Sequence, residues 1–216
     1  MEIVTPGLAN ITLFTGAALI LLLVPGPAVL YIVARSVEQG RFAGFVSDLG
    51  IHSATLVHVF AAALGLSALL ASSAVAFSVV KYAGAAYLIW LGLKKIFGPA
   101  EPLDIEGQMK RYGHWRLFRD GFVVNLLNPK TALFFLAFLP QFVDVSRGHL
   151  AMQITILGLI FTGLGFLTDG CYALAAGTAG GWLKRSRGYL KFERYVSGVL
   201  FIGLGVSAAL AGNGKK

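Results

Sequence analysis

Val24-Pro25-Gly26-Pro27-Ala28 interrupts the first long apolar run of the chain. Two prolines and a glycine within three residues remove two backbone donors and loosen the chain where a helix would otherwise run straight. In hydrocarbon the freed carbonyls have no water to turn to. Such a break is tolerated only where it is buried in protein or lines a wet cavity. If this run spans a membrane, Pro25, Gly26 and Pro27 mark either the place where a solute is handled or a kink used for helix packing.

Composition makes the membrane reading firm. Of 216 residues, 56% are hydrophobic and only 13% charged, with a mean hydropathy of +0.75. A span needs roughly 20 mostly apolar residues, and six such runs stand out. They cover about Leu8 to Val33, Phe42 to Leu70, Tyr82 to Phe97, Gly121 to Val143, Leu150 to Ala176 and Val196 to Ala211. They are too long, and too free of period-2 alternation, to be strands of a barrel. The expected fold is therefore all-α, a polytopic membrane protein with six transmembrane helices. The 27 glycines suit close helix packing in a bilayer. The start, Met1-Glu2-Ile3-Val4, lacks the basic segment of a cleavable signal, and the first run is too long for a signal's apolar core.

The net charge of +8 does not point to nucleic acid, because the basic residues sit in short loops between apolar runs. Thirteen Lys and Arg fall in the loops after runs one, three and five, against four on the opposite side. That bias puts the odd loops in the cytoplasm and both termini outside.

The chain also resembles itself. At an offset of 113 residues, Lys81-Tyr82 falls on Arg194-Tyr195, Ile89, Leu91 and Gly92 fall on Ile202, Leu204 and Gly205, and Pro27 falls on Pro140. Each half then holds three spans, and an odd number inverts the second half relative to the first. The expected organisation is one transporter domain, 1–216, with inverted halves at about 1–100 and 115–216 joined by cytoplasmic loop 98–120. Chance matching of Leu/Gly-rich helices is the competing explanation.

Few residues offer chemistry. In Asn128-Pro129-Lys130, Asn128 suits an N-cap and Pro129 the first helical position. Lys130 is then either a cation that doubles a helix dipole's attraction for a carboxylate, or a lysine snorkelling to headgroups. Asp48, His52 and Thr55 share one face of span two, where Asp48 and His52 could pass a proton. The alternative for Asp48 is a headgroup-level residue favoured by the helix dipole. Thr155, Thr162 and Asp169 lie seven apart on span five, with Gly158 and Gly165 between them. An isolated carboxylate at the depth of Asp169 costs a few kcal/mol on insertion scales. It suits a proton carrier, a partner for a substrate amine, or a structural hydrogen bond.

One cysteine, Cys171, excludes an internal disulfide and a cysteine-built metal site. No HExxH, Walker glycine loop or GxSxG is present. No cofactor, resident metal or enzyme activity is expected.

Pro25-Gly26-Pro27-Ala28, Ala83-Gly84-Ala85-Ala86-Tyr87-Leu88-Ile89-Trp90-Leu91-Gly92, Asn128-Pro129-Lys130 and Phe138-Leu139-Pro140-Gln141-Phe142 together resemble the LysE/RhtB family of bacterial amino-acid exporters. The resemblance covers essentially the whole chain. It implies an inner-membrane secondary transporter that expels amino acids and is driven by the proton gradient. Such proteins often carry Gly-Asp where this chain has Ala54-Thr55, and an acid where it has Ala28. A symmetry-related pair of acids is then expected to be reduced to Asp169 alone, favouring a zwitterionic solute such as threonine or homoserine over lysine.

The substrate carboxylate is expected near Pro25, Gly26 and Pro27 or near Asn128, Pro129 and Lys130. The amine is expected at Asp169, with Thr55 and Thr162 as neutral partners. Asp169, Asp48 and His52 are the proton-coupling candidates. Small-residue faces at Gly84/Gly92 and Gly198 to Gly205 would let the halves rock or protomers pair as a homodimer, surrounded by lipid. The rival functions are a metal or small-ion carrier using Asp48, His52 and Asp169, and an intramembrane lipid enzyme.

Overall fold

The computed structural model describes residues 6–66, 68, 74–98, 111–183 and scattered positions between 195 and 210. Among these, all regular structure is helical, with no strand. The first apolar run is two helices, α1 (Leu8–Leu22) and α2 (Pro27–Gln39), meeting at 52°. Val24 and Pro25 leave the helix. Gly26 is extended (φ −122°, ψ −171°), and Pro27 occupies the first position of α2, where its missing N–H is not needed. Gly40 closes α2 at φ +90°, a conformation that favours glycine.

α3 (Arg41–Ala61) runs on through a π-helical turn, Ala62–Leu66, and α4 spans Ala74–Phe97. α5 (His114–Leu126) and α6 (Pro129–Leu133) form a second bent pair, which with the turns that extend α6 meets at 47°. The break expected at Pro25-Gly26-Pro27 is present, and the fourth run bends likewise at Asn128-Pro129. α5, however, begins at His114, inside the stretch read as loop 98–120. Arg116, Arg119 and Asp120 mask that start in sequence, but they lie on an amphipathic helix whose Leu117 is buried.

α6 continues as a π-helical turn (Phe134–Phe138) and a 3-10 turn (Leu139–Phe142). Pro140 has no N–H to return to the preceding turn, so the winding must change there. Gln141 Nε2 donates to the Ala137 carbonyl at 3.2 Å and recovers one of the loosened acceptors. α7 (Leu150–Leu183) is the longest helix. Gln153 in its first turn is fully buried. It straps the preceding loop by donating to the Asp144 and Gly148 carbonyls, both at 2.8 Å, and accepting from the Asp144 N–H at 2.9 Å.

Residues 41–66 and 150–178 are each long and apolar enough to cross a membrane, and each bent pair qualifies when its two helices are taken together. The described residues therefore hold two to four spans. Half of the sixth run, Val196 to Ala211, lies outside them.

α3 is central, packing on α2, α5 and α7. Glycines set the approach. A Cβ on Gly50 would collide with the Phe118 carbonyl, and one on Gly121 would stand 2.5 Å from the Ser47 carbonyl. α5 therefore lies backbone to backbone against α3. The main apolar core is an aromatic cluster in which Phe134 stacks on Phe161 at 4.4 Å and tilts against Phe14 at 5.7 Å. The small-residue faces expected to let the halves rock or protomers pair make close contacts within the chain. Gly92 lies against Gly198 and Ile202, Gly205 against Ala85 and Ile89, and Gly84 against Ala137.

Candidate functional site

The two breaks face each other. α1 ends with carbonyls that the helix leaves open; Leu21 O accepts the Val24 N–H at 3.3 Å, and further partners come from other helices. Lys130 Nζ, one residue into α6, donates to Val24 O at 2.6 Å and Leu21 O at 2.9 Å. Tyr172 on α7 donates its hydroxyl to Leu23 O at 2.8 Å. Gly26 makes room for the lysine, since a Cβ there would lie 3.2 Å from Lys130 Cδ. Lys130 is thus neither bare nor snorkelling; its ammonium closes the carbonyl end of a broken helix, where the dipole favours a cation.

Below this latch lies a small cavity of about 40 Å³, room for a few waters. Gly26, Ala28 and Val29 border it from the first break, His52 and Thr55 from α3, Asn125, Asn128, Lys130 and Thr131 from the second break, and Phe161 and Asp169 from α7.

On one wall, His52 Nε2 is 3.0 Å from Asp48 Oδ1 and 3.3 Å from Asp169 Oδ2. All three residues are at most 7% exposed. The i, i+4 spacing on α3 brings Asp48 and His52 together, and Gly165 lets the imidazole approach α7, since a Cβ there would stand 2.6 Å from His52 Cε1. The expectation of a single buried acid is therefore corrected. Asp48, two turns before Thr55, is a second buried carboxylate beside Asp169. Asp48 is wholly buried in the protein.

The opposite wall is a neutral network centred on Asn125. Its Nδ2 donates to Thr55 Oγ1 at 2.9 Å and Ile51 O at 2.8 Å. Its Oδ1 accepts from Thr131 Oγ1 at 2.8 Å and Asn128 Nδ2 at 3.2 Å. Asn128 is the N-cap of α6, its Oδ1 accepting the Lys130 N–H at 3.1 Å, and Pro129 sits at the first helical position. His58 lies outside the cavity, its Nε2 3.2 Å from the Asn125 carbonyl and its ring stacked on Phe135.

The structure brings Gly26, Asp48, His52, Thr55, Asn128, Lys130 and Asp169 into this one region. Pro25, Pro27 and Pro129 shape its backbone without bordering the cavity. Thr162 does not border it either; its hydroxyl donates to its own helix at Gly158 O, 2.8 Å away. Asn125, Thr131 and Tyr172 belong to the site although the sequence reading does not single them out. Tyr172 had a signal, lying three residues beyond Asp169 on the same helical face.

His52 and Asp169 on one wall, a neutral network on the opposite one and the Lys130 ammonium beside the start of α2, all enclosed by interrupted helices, make the arrangement of a membrane carrier for a small polar solute. The chain belongs to the LysE type translocator family, whose profile matches residues 19–212. It is 31% identical over 192 residues to the homoserine/homoserine lactone efflux protein of Salmonella typhi, covering 89% of this chain and 92% of that one. It is also 30% identical over 203 residues to the uncharacterized membrane protein YrhP of Bacillus subtilis, covering 90% and 95%. No solved structure matches the chain.

Proposed function

We propose that the protein exports a zwitterionic amino acid, neutral or hydroxylated in the manner of threonine or homoserine, across the bacterial inner membrane in exchange for protons. The observation that carries this reading is the polarity of the cavity, with His52 and Asp169, backed by Asp48, on one side and Lys130 with the start of α2 on another. The solute amine would sit at Asp169 and its carboxylate at the Gly26–Pro27 break. Binding there would compete with the α1 carbonyls for Lys130. Protonation of the acid cluster from outside would release the amine, and proton loss inward would reset the site. A charge change of this kind supplies the differential affinity that a ligand needs to shift a conformational equilibrium.

The efflux protein that the chain resembles supports the export direction and the solute class. The two bent pairs suit two inverted three-helix halves, six spans in all, with both termini in the periplasm as the Lys/Arg bias has it. The test is efflux from bacteria fed dipeptides, with all amino acids in the medium profiled. The reading requires faster release of one neutral amino acid, abolished by Asp169→Asn and by an uncoupler. An unchanged profile at confirmed membrane expression sinks it.

One observation favours a second reading, a carrier for a divalent cation. The donor atoms of Asp48, His52 and Asp169 all lie within 4.8 Å of one another. Three ligands from two helices, two carboxylates and an imidazole without a thiolate, would suit a divalent metal such as zinc or manganese. Expression that raises tolerance of such a metal, with no change in amino-acid release, would select this reading.

A further inference from the structure

The neutral wall of the cavity has a fixed hydrogen-bond polarity. The Ile51 carbonyl can only accept, so the end of the Asn125 amide that reaches it at 2.8 Å is Nδ2. Asn125 Oδ1 is then an acceptor, and the Thr131 hydroxyl, 2.8 Å away, spends its one proton there. Asn128 Oδ1 takes the Lys130 N–H at 3.1 Å, and one N–H of Asn128 Nδ2 goes to Asn125 Oδ1 at 3.2 Å. Thr55 gives its proton to Ile51 O at 3.2 Å and accepts from Asn125. Asn125 is left with nothing to offer a solute. Asn128 keeps one amide N–H and Thr131 keeps its hydroxyl lone pairs, with no partner for either among the described residues.

Asn128 and Thr131 both border the cavity and are 3% and 7% exposed. They bond the same Asn125 oxygen, which keeps them near enough for one further oxygen atom to touch both. A spare donor beside a spare acceptor is selective. An ammonium has no use for the amide N–H, a carboxylate has no proton for the threonine oxygen, and a methyl group leaves both unpaired. A hydroxyl uses both, accepting from Asn128 Nδ2 and donating to Thr131 Oγ1. We infer that Asn128 and Thr131 form the subsite that reads a hydroxyl group on the solute's side chain. This rests on the amino-acid reading above, which it narrows from neutral solutes to hydroxylated ones. With the amine at Asp169 and the carboxylate at the Gly26–Pro27 break, the second break is the polar surface left to meet the side chain. Leu22, Val29, Ile51 and Phe161 give the rest of that lining an apolar character.

L-α-Aminobutyrate is L-homoserine without its hydroxyl, so this pair isolates the claim. Cells expressing the full chain are loaded with both solutes, each with its own label. The ratio of their initial effluxes is measured, with efflux from cells lacking the protein subtracted. The unaltered chain should favour homoserine about tenfold or more, because the analogue leaves buried polar groups unpaired. Thr131→Val keeps the side chain's shape and removes the acceptor, and the ratio should fall to within about twofold of unity. Thr131→Ser, which restores the hydroxyl, should recover most of the preference. Thr131→Ala makes the same comparison should Thr131→Val not reach the membrane. Equal efflux of the two solutes by the unaltered chain would overturn the subsite. So would an equal loss of both in Thr131→Val with the ratio kept, the outcome of a purely structural role in the Asn125 network. The dipeptide-fed profile separates the two levels of the argument. Export confined to amino acids without a side-chain hydroxyl would overturn the subsite alone, whereas release of no amino acid would overturn the reading on which it depends.

Discussion

Lys130 and Val24, 106 residues apart in sequence, are joined by a 2.6 Å hydrogen bond from the ammonium to the backbone carbonyl. The bond links the start of one broken helix to the end of the other. Each break leaves backbone groups that its own helix cannot satisfy, and here the second break supplies the donor that the first one lacks. The two interruptions are parts of one device.

Lys130→Met keeps most of the stem and removes the charge. Val24 O and Leu21 O would then lose a charged donor, at about 2 kcal/mol in total once the modest value of hydrogen bonds inside membranes is allowed for. The expected result is a lower unfolding temperature in detergent together with loss of efflux. Lys130→Arg should recover stability better than transport, because the wider guanidinium does not fit the space beside Gly26. An unchanged unfolding temperature for Lys130→Met would show that the latch carries no structural weight.

Asp48 and Asp169 flank the same imidazole, yet they should differ in role. Asp169 borders the cavity and Asp48 does not. Asp169→Asn is expected to abolish both net efflux and solute–solute exchange in proteoliposomes, because it removes the amine's partner. Asp48→Asn should stop net, proton-driven efflux while leaving exchange, which needs no change of protonation. Loss of exchange in both variants would merge the two roles.

Gly165 tests how closely His52 must approach α7. Gly165→Ala places a methyl group 2.6 Å from His52 Cε1 and 3.3 Å from Leu22 Cδ2. The ring must swing away from Asp169, so transport is expected to fall by about tenfold or more while stability changes by about 1 kcal/mol. Gly163→Ala, which meets nothing within 4 Å, is the matched control and should transport normally. Equal activity of the two variants would show that the contact with Asp169 is dispensable.

What the residues disclose in advance follows from how local the signal is. The break at Pro25-Gly26-Pro27 is legible because proline and glycine act on their own backbone. The Asp48–His52 pair is legible because i, i+4 spacing is a property of one helix. The meeting of that pair with Asp169, 121 positions from Asp48, depends on α3 packing against α7. Only the isolation of a charge in an apolar run hints at it. Lys130 illustrates the limit: its place at a helix start can be read, but its acceptors are carbonyls of a distant break. Asn125 stays hidden for a different reason. Near Pro129 an asparagine reads as capping chemistry, and that role belongs to Asn128.

Asn125 gives the sharpest test of the neutral wall. Its amide makes four hydrogen bonds, to Ile51, Thr55, Asn128 and Thr131, so α3 and both sides of the second break are tied through one side chain. Asn125→Leu keeps the volume but leaves the Thr131 hydroxyl and the Asn128 amide without their acceptor. A loss of about 2 to 3 kcal/mol in detergent stability is expected. Thr55→Val removes one link and should cost about 1 kcal/mol. Because the two residues share a bond, their effects should not add; the double variant should fall short of the sum by about 0.5 kcal/mol or more. Unfolding midpoints of the four proteins in one detergent measure this. Strict additivity would mean that Asn125 and Thr55 act separately, and that α3 is free to move against the second break without disturbing the wall.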